Sequence, residues 1–437
     1  MFAHGLRRAW RIPVEAYDRF RGPGTVPDDI AVGVRSLHAA RRTLDRLLTG
    51  NILPFWFPHV VDREYGGYRL HHNRWGRCMG HGLKRVITQA RTLWLFARLA
   101  RSPYGHPEHL AAAAHGFAFL RDRMWDPVHG GFYWEVDTTG HMVTKPDKHV
   151  CGQAFALYAL SEYALASGDP AARDFATRVF GLFETHAYDR VRRGYDESFE
   201  RDWRRQKGDA PNVMGVAPAL KLMNTHLHIM EAITTYVELT QQALARERLI
   251  ELIRILSATV VRPSGACTEQ YRDDWTLIPS TGGDRVSYGH ALENLWLLID
   301  AAEVAGVGTG ALLDVCHRLF EYSATHGFDF EHGGFFASGP LDRPADQRQK
   351  IWWVQAEALL GALYLYRHTG EARYFDNFSR TLDWIVTRQA DWIRGDWYAE
   401  ITPGGAVAGD KAGVWKSPYH NGRAVLRSLE ILAQQVD

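Results

Sequence analysis

The stretch MNTHLHIMEA, residues 223–232, sets two histidines two apart and follows the second with an acid three residues on. A neutral imidazole can take or give a proton near pH 7, and a carboxylate beside it orients the ring and raises its basicity. His228 and Glu231 stand three apart, as do His290 and Glu293 in SYGHALE. On a helix that spacing puts both side chains on one face. His226 and His228 point about 200° apart on a helix, so His228 is the pocket candidate and His226 is expected to pack behind it. A metal centre would need three or four converging ligands. The chain has no HExxH and no carboxylate-rich loop, and no metal is expected.

Elements that could gather these groups are visible as a repeat. VDREYGGYRL around Gly67 returns as WDPVHGGFYW around Gly131, YDRVRRGYDE around Gly194 and FDFEHGGFFA around Gly334. Fainter copies surround Gly265 and Gly395. Acid, polar residues, glycine and an aromatic spell a turn entering a short extended segment. The copies recur roughly every 60 to 70 residues, the signature of a repeated supersecondary unit. The helices that follow are apolar nearly all round, as in 89–100, 153–164, 290–303 and 355–366. Those that precede carry one apolar stripe, as in 35–48 and 246–258. The first kind is enclosed and the second faces water on one side.

Six enclosed helices alternating with six striped ones predict an all-α fold, an (α/α)6 barrel of six helical hairpins with short β-hairpin or extended loops. An open helical superhelix is the alternative. Residues 31–437 are read as one catalytic domain and residues 1–30 as an N-terminal arm. In a closed ring the six enclosed helices start at one end. The stretches RVITQAR, KHVCGQ, NTHLHIME, SYGHALE, WWVQAE and SPYHNGR therefore converge on one mouth. Such a concavity is the usual ligand site, and helix N-termini add free N–H groups.

Composition bounds the function. Net charge is +1, with acids and bases interspersed, so no surface funnels nucleic acid or anionic lipid. Cys78, Cys151, Cys267 and Cys316 lie far apart without a CxxC pair, which fits a reducing cytoplasm. The first residues lack the apolar core of a signal peptide, and no run approaches the ~18 apolar residues of a membrane span. No G-x-G-x-x-G or Walker loop calls for a nucleotide cofactor, and no cofactor is expected. Fifteen tryptophans fit an aromatic core or indole faces that stack on sugar rings.

NTHLHIMEA, SYGHALE, WWVQAEA and VWKSPYHNGR, in that order, resemble the N-acylglucosamine 2-epimerase superfamily, nearest its cellobiose and mannose 2-epimerase branch. The resemblance runs from about residue 35 to the C-terminus. It implies an (α/α)6 barrel, a small-molecule sugar substrate, and His290 and His420 as the acid/base pair. It implies His228 as a third active-site histidine and Glu293 as the support of His290. Arg91, Asn224, Trp353, Glu357 and Trp415 would contact the sugar. Such a protein is expected as a monomer or homodimer. Two features depart from the pattern: Cys151 stands where the family commonly has tyrosine, and PNVMGVAPALKL, residues 211–222, is unusually apolar before the NTHLH motif.

The chemistry implied is inversion at C2 of a reducing aldose. The open-chain aldehyde acidifies the C2 proton because charge spreads onto O1 as an enediolate. One imidazole removes that proton and another returns one to the opposite face. Arg91 and helix N–H groups would stabilise O1. Return of the proton to C1 would instead make a ketose, so an aldose–ketose isomerase is the first alternative. An inverting glycosidase using Glu231, Glu293 or Glu357, and a non-catalytic sugar-binding protein, are the others.

Overall fold

The computed structural model describes residues 26–30, 32–278 and 285–436. Most of the expected arm, residues 1–25, lies outside the described residues. Of its end, Ile30 is buried against the core.

Among the described residues, twelve long helices alternate between an outer and an inner layer. The outer set is α1 (Leu37–Leu47), α3 (Pro107–Phe119), α5 (Pro170–Leu182), α7 (Ala243–Arg254), α9 (Gly310–Gly327) and α11 (Ala372–Trp384). The inner set is α2 (Val86–Ala100), α4 (Val150–Ser167), α6 (Met223–Thr240), α8 (Tyr288–Ala305), α10 (Trp352–Thr369) and α12 (Tyr419–Val436). The contrast read from the sequence is physical. α1 buries only Ala40, Thr43, Leu44 and Leu47, one stripe, whereas α4 is buried without a break from Val150 to Ala164. Each inner helix packs on the next, and α12 closes on α2, so the ring is shut and the open superhelix is set aside.

Local chemistry sets the helix ends. Ser36, Asp169 and Ser287 cap their helices by accepting from backbone N–H groups, which satisfies donors the helix leaves free. Gly168, Gly306 and Gly370 end inner helices in the left-handed conformation that glycine adopts without a Cβ penalty.

A two- or three-residue strand enters each of α2, α4, α6, α8 and α10, as at Lys84–Arg85 and Lys148–His149, and pairs antiparallel with a strand of the following repeat. The repeat is held by one recurring device. The turn aspartate accepts from a lysine farther along the chain, which in the first four pairs opens the next strand: Lys84 on Asp62 at 2.8 Å, Lys148 on Asp126 at 3.1 Å, Lys221 on Asp189 at 2.8 Å, Lys350 on Asp329 at 2.7 Å and Lys411 on Asp391 at 2.8 Å. A glutamine one turn into the inner helix then grips the residue after the glycines. Gln89 bonds both backbone groups of Tyr68, Gln153 those of Phe132 and Gln355 those of Phe335. A Cβ at Gly67 would lie 2.5 Å from the Gln89 Oε1, so this close approach requires glycine. Desolvation of the buried lysines is offset by the paired carboxylate and a turn carbonyl.

Candidate active site

The inner helices start at one end, and a cavity of about 340 Å³ opens there. It is lined among others by Arg91, Asn224, His228, His290, Trp353 and His420. The rings of His290 and His420 both lie against the Trp353 indole, with centroids 4.8 and 5.7 Å away. Residues 130 positions apart in the chain thus share one wall.

Each imidazole hangs from a carboxylate through Nδ1. His290 meets Glu269 Oε1 at 2.9 Å, and its Nε2 faces the Asn224 amide at 2.8 Å. Burial alone would lower the His290 pKa. Glu269, with Glu293 and Glu357 farther off, outweighs it and holds the imidazole above its ordinary value. His420 Nδ1 meets Glu357 Oε1 at 2.6 Å. Its burial, reinforced by the charges of Arg91 and Arg423, holds it well below the ordinary value. His228 Nδ1 meets Glu231 Oε2 at 3.1 Å; burial lowers its pKa in spite of that carboxylate. With Nδ1–H donating to its carboxylate, neutral His420 keeps an Nε2 lone pair. The environments of His290 and His420 therefore differ in the sense that suits an acid and a base.

One guanidinium lies beneath all of this. Arg423 donates to Glu231, to Glu293 at 2.6 Å and to Glu357 at 2.8 Å, and also to the Tyr419 hydroxyl. It is the common anchor of the carboxylates that hold His228 and His420. His228, Glu231 and Glu293, and likewise Glu293, Glu357 and His420, bring candidate metal-ligand atoms within 4.8 Å of one another. Arg423 already supplies the positive charge these carboxylates need.

Arg91 differs from Arg423. It is bonded to no carboxylate among the described residues; its guanidinium lies over the Phe155 ring at 4.1 Å and over Tyr419 at 4.9 Å. It is held by aromatic faces and leaves its donors for a ligand oxygen. Trp415 stands at the rim, 42% exposed, with the Arg85 guanidinium over its ring at 5.3 Å. Cys151 lines the wall beside Arg91, and burial pushes its thiol up to about 12. Met214, Val216 and Leu222, all from the apolar 211–222 segment, line the wall as well.

Two expected placements are corrected. Glu293 makes no hydrogen bond to His290, whose Nδ1 is taken by Glu269. Its carboxylate lines the same cavity but bonds Arg423 and lies 4.0 Å from His420 Nδ1, and it acts on His290 through its charge alone. Glu357 is fully buried and is engaged by Trp296 Nε1 at 2.9 Å, His420 and Arg423. It holds a histidine and does not face the cavity. His226 turns away from the cavity and takes the place of the repeat's glutamine, accepting from the Tyr195 N–H at 2.9 Å. Sequence reasoning missed Glu269, in the faint fourth repeat, and Arg423. The signal for Arg423 was present: three acids on enclosed helices require a buried cation, and Arg423 stands three residues after His420.

The profile of the N-acylglucosamine 2-epimerase (GlcNAc 2-epimerase) family matches residues 66–424. A cellobiose 2-epimerase of Bacteroides fragilis is 31% identical over 394 residues, covering 89% of this chain and 98% of that one. A D-mannose isomerase of Thermobifida fusca is 25% identical over 343 residues, 75% of this chain and 81% of its own. Among solved structures, the cellobiose 2-epimerase of Spirochaeta thermophila superposes with a TM-score of 0.84 at 32% identity, covering 92% of this chain and 98% of that chain. With its closed ring, its four ordered motifs and these matches, the chain belongs to the N-acylglucosamine 2-epimerase family.

Proposed function

We propose that this protein is a cofactor-independent sugar 2-epimerase that inverts C2 of a reducing-end aldose, of the glucose/mannose or cellobiose/mannobiose type. The observation that carries the reading is the pair His290 and His420. The two imidazoles share the Trp353 wall of one cavity, each with Nδ1 on a carboxylate and with pKa values displaced in opposite directions. Neutral His420 removes the C2 proton, the charge moves onto O1, and protonated His290 returns a proton to the opposite face. Arg91 offers unpaired donors to O1. In a desolvated site such a donor contributes about 10²–10³ in rate.

His228 and Asn224 stand beside this pair and act in ring opening and in holding the sugar oxygens. Trp353 and Trp415 supply stacking faces. The single ring supports reading residues 31–437 as one catalytic domain. No helix among the described residues is long and apolar enough to cross a membrane. The four cysteines are free thiols, which supports a reducing cytoplasmic setting.

A second reading, an aldose–ketose isomerase, is favoured by the likeness to a D-mannose isomerase. Both reactions pass through the enediolate, and they differ in whether the proton returns to C2 or C1. Inverting hydrolysis needs two carboxylates opposed across ~6.5–9.5 Å. Glu231, Glu293 and Glu357 instead converge on one guanidinium.

The test is incubation with glucose, mannose, cellobiose and mannobiose in D₂O, followed by proton NMR. Inverted C2 carrying deuterium is expected. A ketose product assigns the isomerase, released monosaccharide assigns a hydrolase, and no turnover of any of the four sugars removes the proposal.

A further inference from the structure

Four turns of the ring close on a left-handed glycine. The turn aspartate's N–H donates to the carbonyl of Gly67, Gly131, Gly194 or Gly334, whose φ lies between +65° and +74°. In the last turn the same bond runs from Asp391 to Asp396 at 2.9 Å, and Asp396 keeps the left-handed backbone, with φ +58°. A side chain is strained there, and aspartate is among the few residues that accept it. Such an outlier persists only where its surroundings hold it.

The glycines leave room for a side chain of the inner helix. A Cβ would lie 2.5 Å from Gln89 Oε1 at Gly67, 3.1 Å from Gln153 Oε1 at Gly131, 2.8 Å from His226 Nε2 at Gly194 and 2.5 Å from Gln355 Oε1 at Gly334. Each of those side chains stands five residues after the lysine that opens the strand. Counted the same way, Lys416 leads to Asn421, one methylene shorter than glutamine. The Asp396 carboxylate reaches into the space so released. Its Oδ1 accepts from Asn421 Nδ2 at 2.6 Å and from Trp56 Nε1 at 2.9 Å. Its Oδ2 accepts from Lys416 Nζ, which also donates to the Lys411 carbonyl at 2.9 Å. All four side chains are buried. The last repeat therefore holds two acid–lysine pairs, Asp391 with Lys411 and Asp396 with Lys416, where the four glycine turns hold one each.

The extra pair stands where the ring lacks its usual fastening. Five inner helices are entered by a strand that pairs with the following repeat. Among the described residues no strand runs directly into α12, because no repeat follows it in the chain. The segment before it has an isolated bridge from Ala412 to His72, and the Gly413 N–H donates to the Lys416 carbonyl at 3.0 Å. His420 sits between the two residues that Asp396 holds, four after Lys416 and one before Asn421.

We propose that Asp396 is the positioning residue for His420. Its carboxylate ties Lys416 and Asn421 on either side of that histidine. It thereby fixes the start of α12, as strand pairing fixes the other inner helices. The inference rests on His420 as the base of the proposed epimerase; Asp396 itself does not line the cavity.

Asp396→Gly with Lys416→Met removes the tether, leaves neither partner of the pair charged and restores the residue of the other turns. Here kcat should fall roughly 10–100-fold with KM nearly kept, since misplacing a reacting group by about 1 Å costs about 10² in rate. Asp396→Asn with Lys416→Met keeps the Oδ1 acceptor for Asn421 and Trp56 and should recover most of that loss. Asp126→Asn with Lys148→Met removes the equivalent buried pair before α4; it should lower the urea midpoint and leave kcat unchanged. If the glycine variant does not fold, Asn421→Ala takes its place, with the same fall in kcat expected.

Crystal structures of the parent and of the glycine variant, or its substitute, read the position itself, with or without turnover. His420 Nδ1 should meet Glu357 in the parent and lie beyond hydrogen-bond distance in the variant. An inactive parent removes the epimerase reading and leaves the two structures to decide this one. An unmoved His420, an unchanged kcat in the glycine variant or its substitute, no recovery with asparagine, or an equal loss of kcat in the Asp126 control overturns the proposal.

Discussion

Glu269 Oε1 lies 2.9 Å from Nδ1 of His290, and the two residues come from different repeats. The strand carrying Glu269 runs into Gln270–Tyr271, which pairs with the strand entering α6; His290 opens α8. The pairing of acid and imidazole is therefore fixed by the closing of one repeat on the next. Glu269 is the leading favourable cause of His290's raised pKa. In the proposed direction of reaction, activity needs His290 protonated and falls as pH rises through that raised value. Glu269→Gln removes the carboxylate's charge and keeps its shape. The alkaline limb of kcat/KM should move down by about one pH unit or more. An unchanged alkaline limb would show that another group sets it.

His420 answers in the opposite sense. Its imidazole is held neutral, so a His420→Ala variant loses the base and turnover should fall by about 10²–10⁴. Glu357→Gln leaves the base present but removes the charge that orients its Nδ1–H, and a smaller loss in kcat is expected. Measured by C2 deuterium exchange, the two variants should rank in that order. Equal losses would mean that Glu357 has a part beyond orientation.

The Arg423 cluster makes a stability prediction. Arg423→Met leaves Glu231, Glu293 and Glu357 buried without their common cation, a change that costs roughly 3–5 kcal/mol. The sign with pH is fixed. Burial, with neighbouring carboxylates, already holds Glu293 and Glu357 above the usual carboxylate value, so the folded state keeps protons there that the unfolded state has released. That contribution is lost as pH rises through the raised values, and removing the cation raises them further. The deficit relative to the parent should be larger at pH 8 than at pH 5 in urea titrations. A deficit independent of pH would count against carboxylate repulsion as its cause.

Thiol chemistry gives a fourth handle. Cys151 lines the cavity with its thiol pushed up to about 12, Cys316 is likewise pushed up to about 12 by burial, and burial also raises the Cys267 thiol. Only Cys78 is exposed. Iodoacetamide at neutral pH should add once, at Cys78, and leave turnover unchanged, because the thiolate is the nucleophile. An adduct at Cys151 in the mass spectrum would show that the wall opens.

How much was readable follows from where each signal is encoded. The ring was legible because enclosed helices lack the polar face that striped ones carry, and because an aspartate, a glycine and an aromatic mark five of the turns, three of them with Gly-Gly. Helix starts were less so. Pattern reading began the second helix at Gln89, while it begins at Val86, since the strand–helix junction is set by the Lys84–Val136 pairing, which leaves no local mark. His228 with Glu231 was a contact within one helix and could be read as such. His290 with Glu269 and His420 with Glu357 are contacts between repeats, and an i,i+3 rule pointed to the wrong acid for His290. The fourth repeat hid Glu269 because Arg262-Pro263-Ser264-Gly265 lacks the aspartate of the other turns.

The lysine–aspartate pairs are the last test, and they address the fold without touching the site. Lys411 and Asp391 are both fully buried, and Lys411 also donates to the Gly395 carbonyl. Desolvation lowers the Lys411 pKa against the raising effect of Asp391, so the ammonium is retained only by its partner. Lys411→Met should destabilise by roughly 3–5 kcal/mol, because it strands a buried carboxylate. Adding Asp391→Asn should recover much of that loss, although Asp391 also caps its turn by accepting from the Ile393 and Arg394 N–H groups at 3.0 Å. A double variant as unstable as the single one would mean that the lysine acts through packing against Phe55 and Tyr398, whose rings lie 5.4 and 5.2 Å from its ammonium, rather than through its charge.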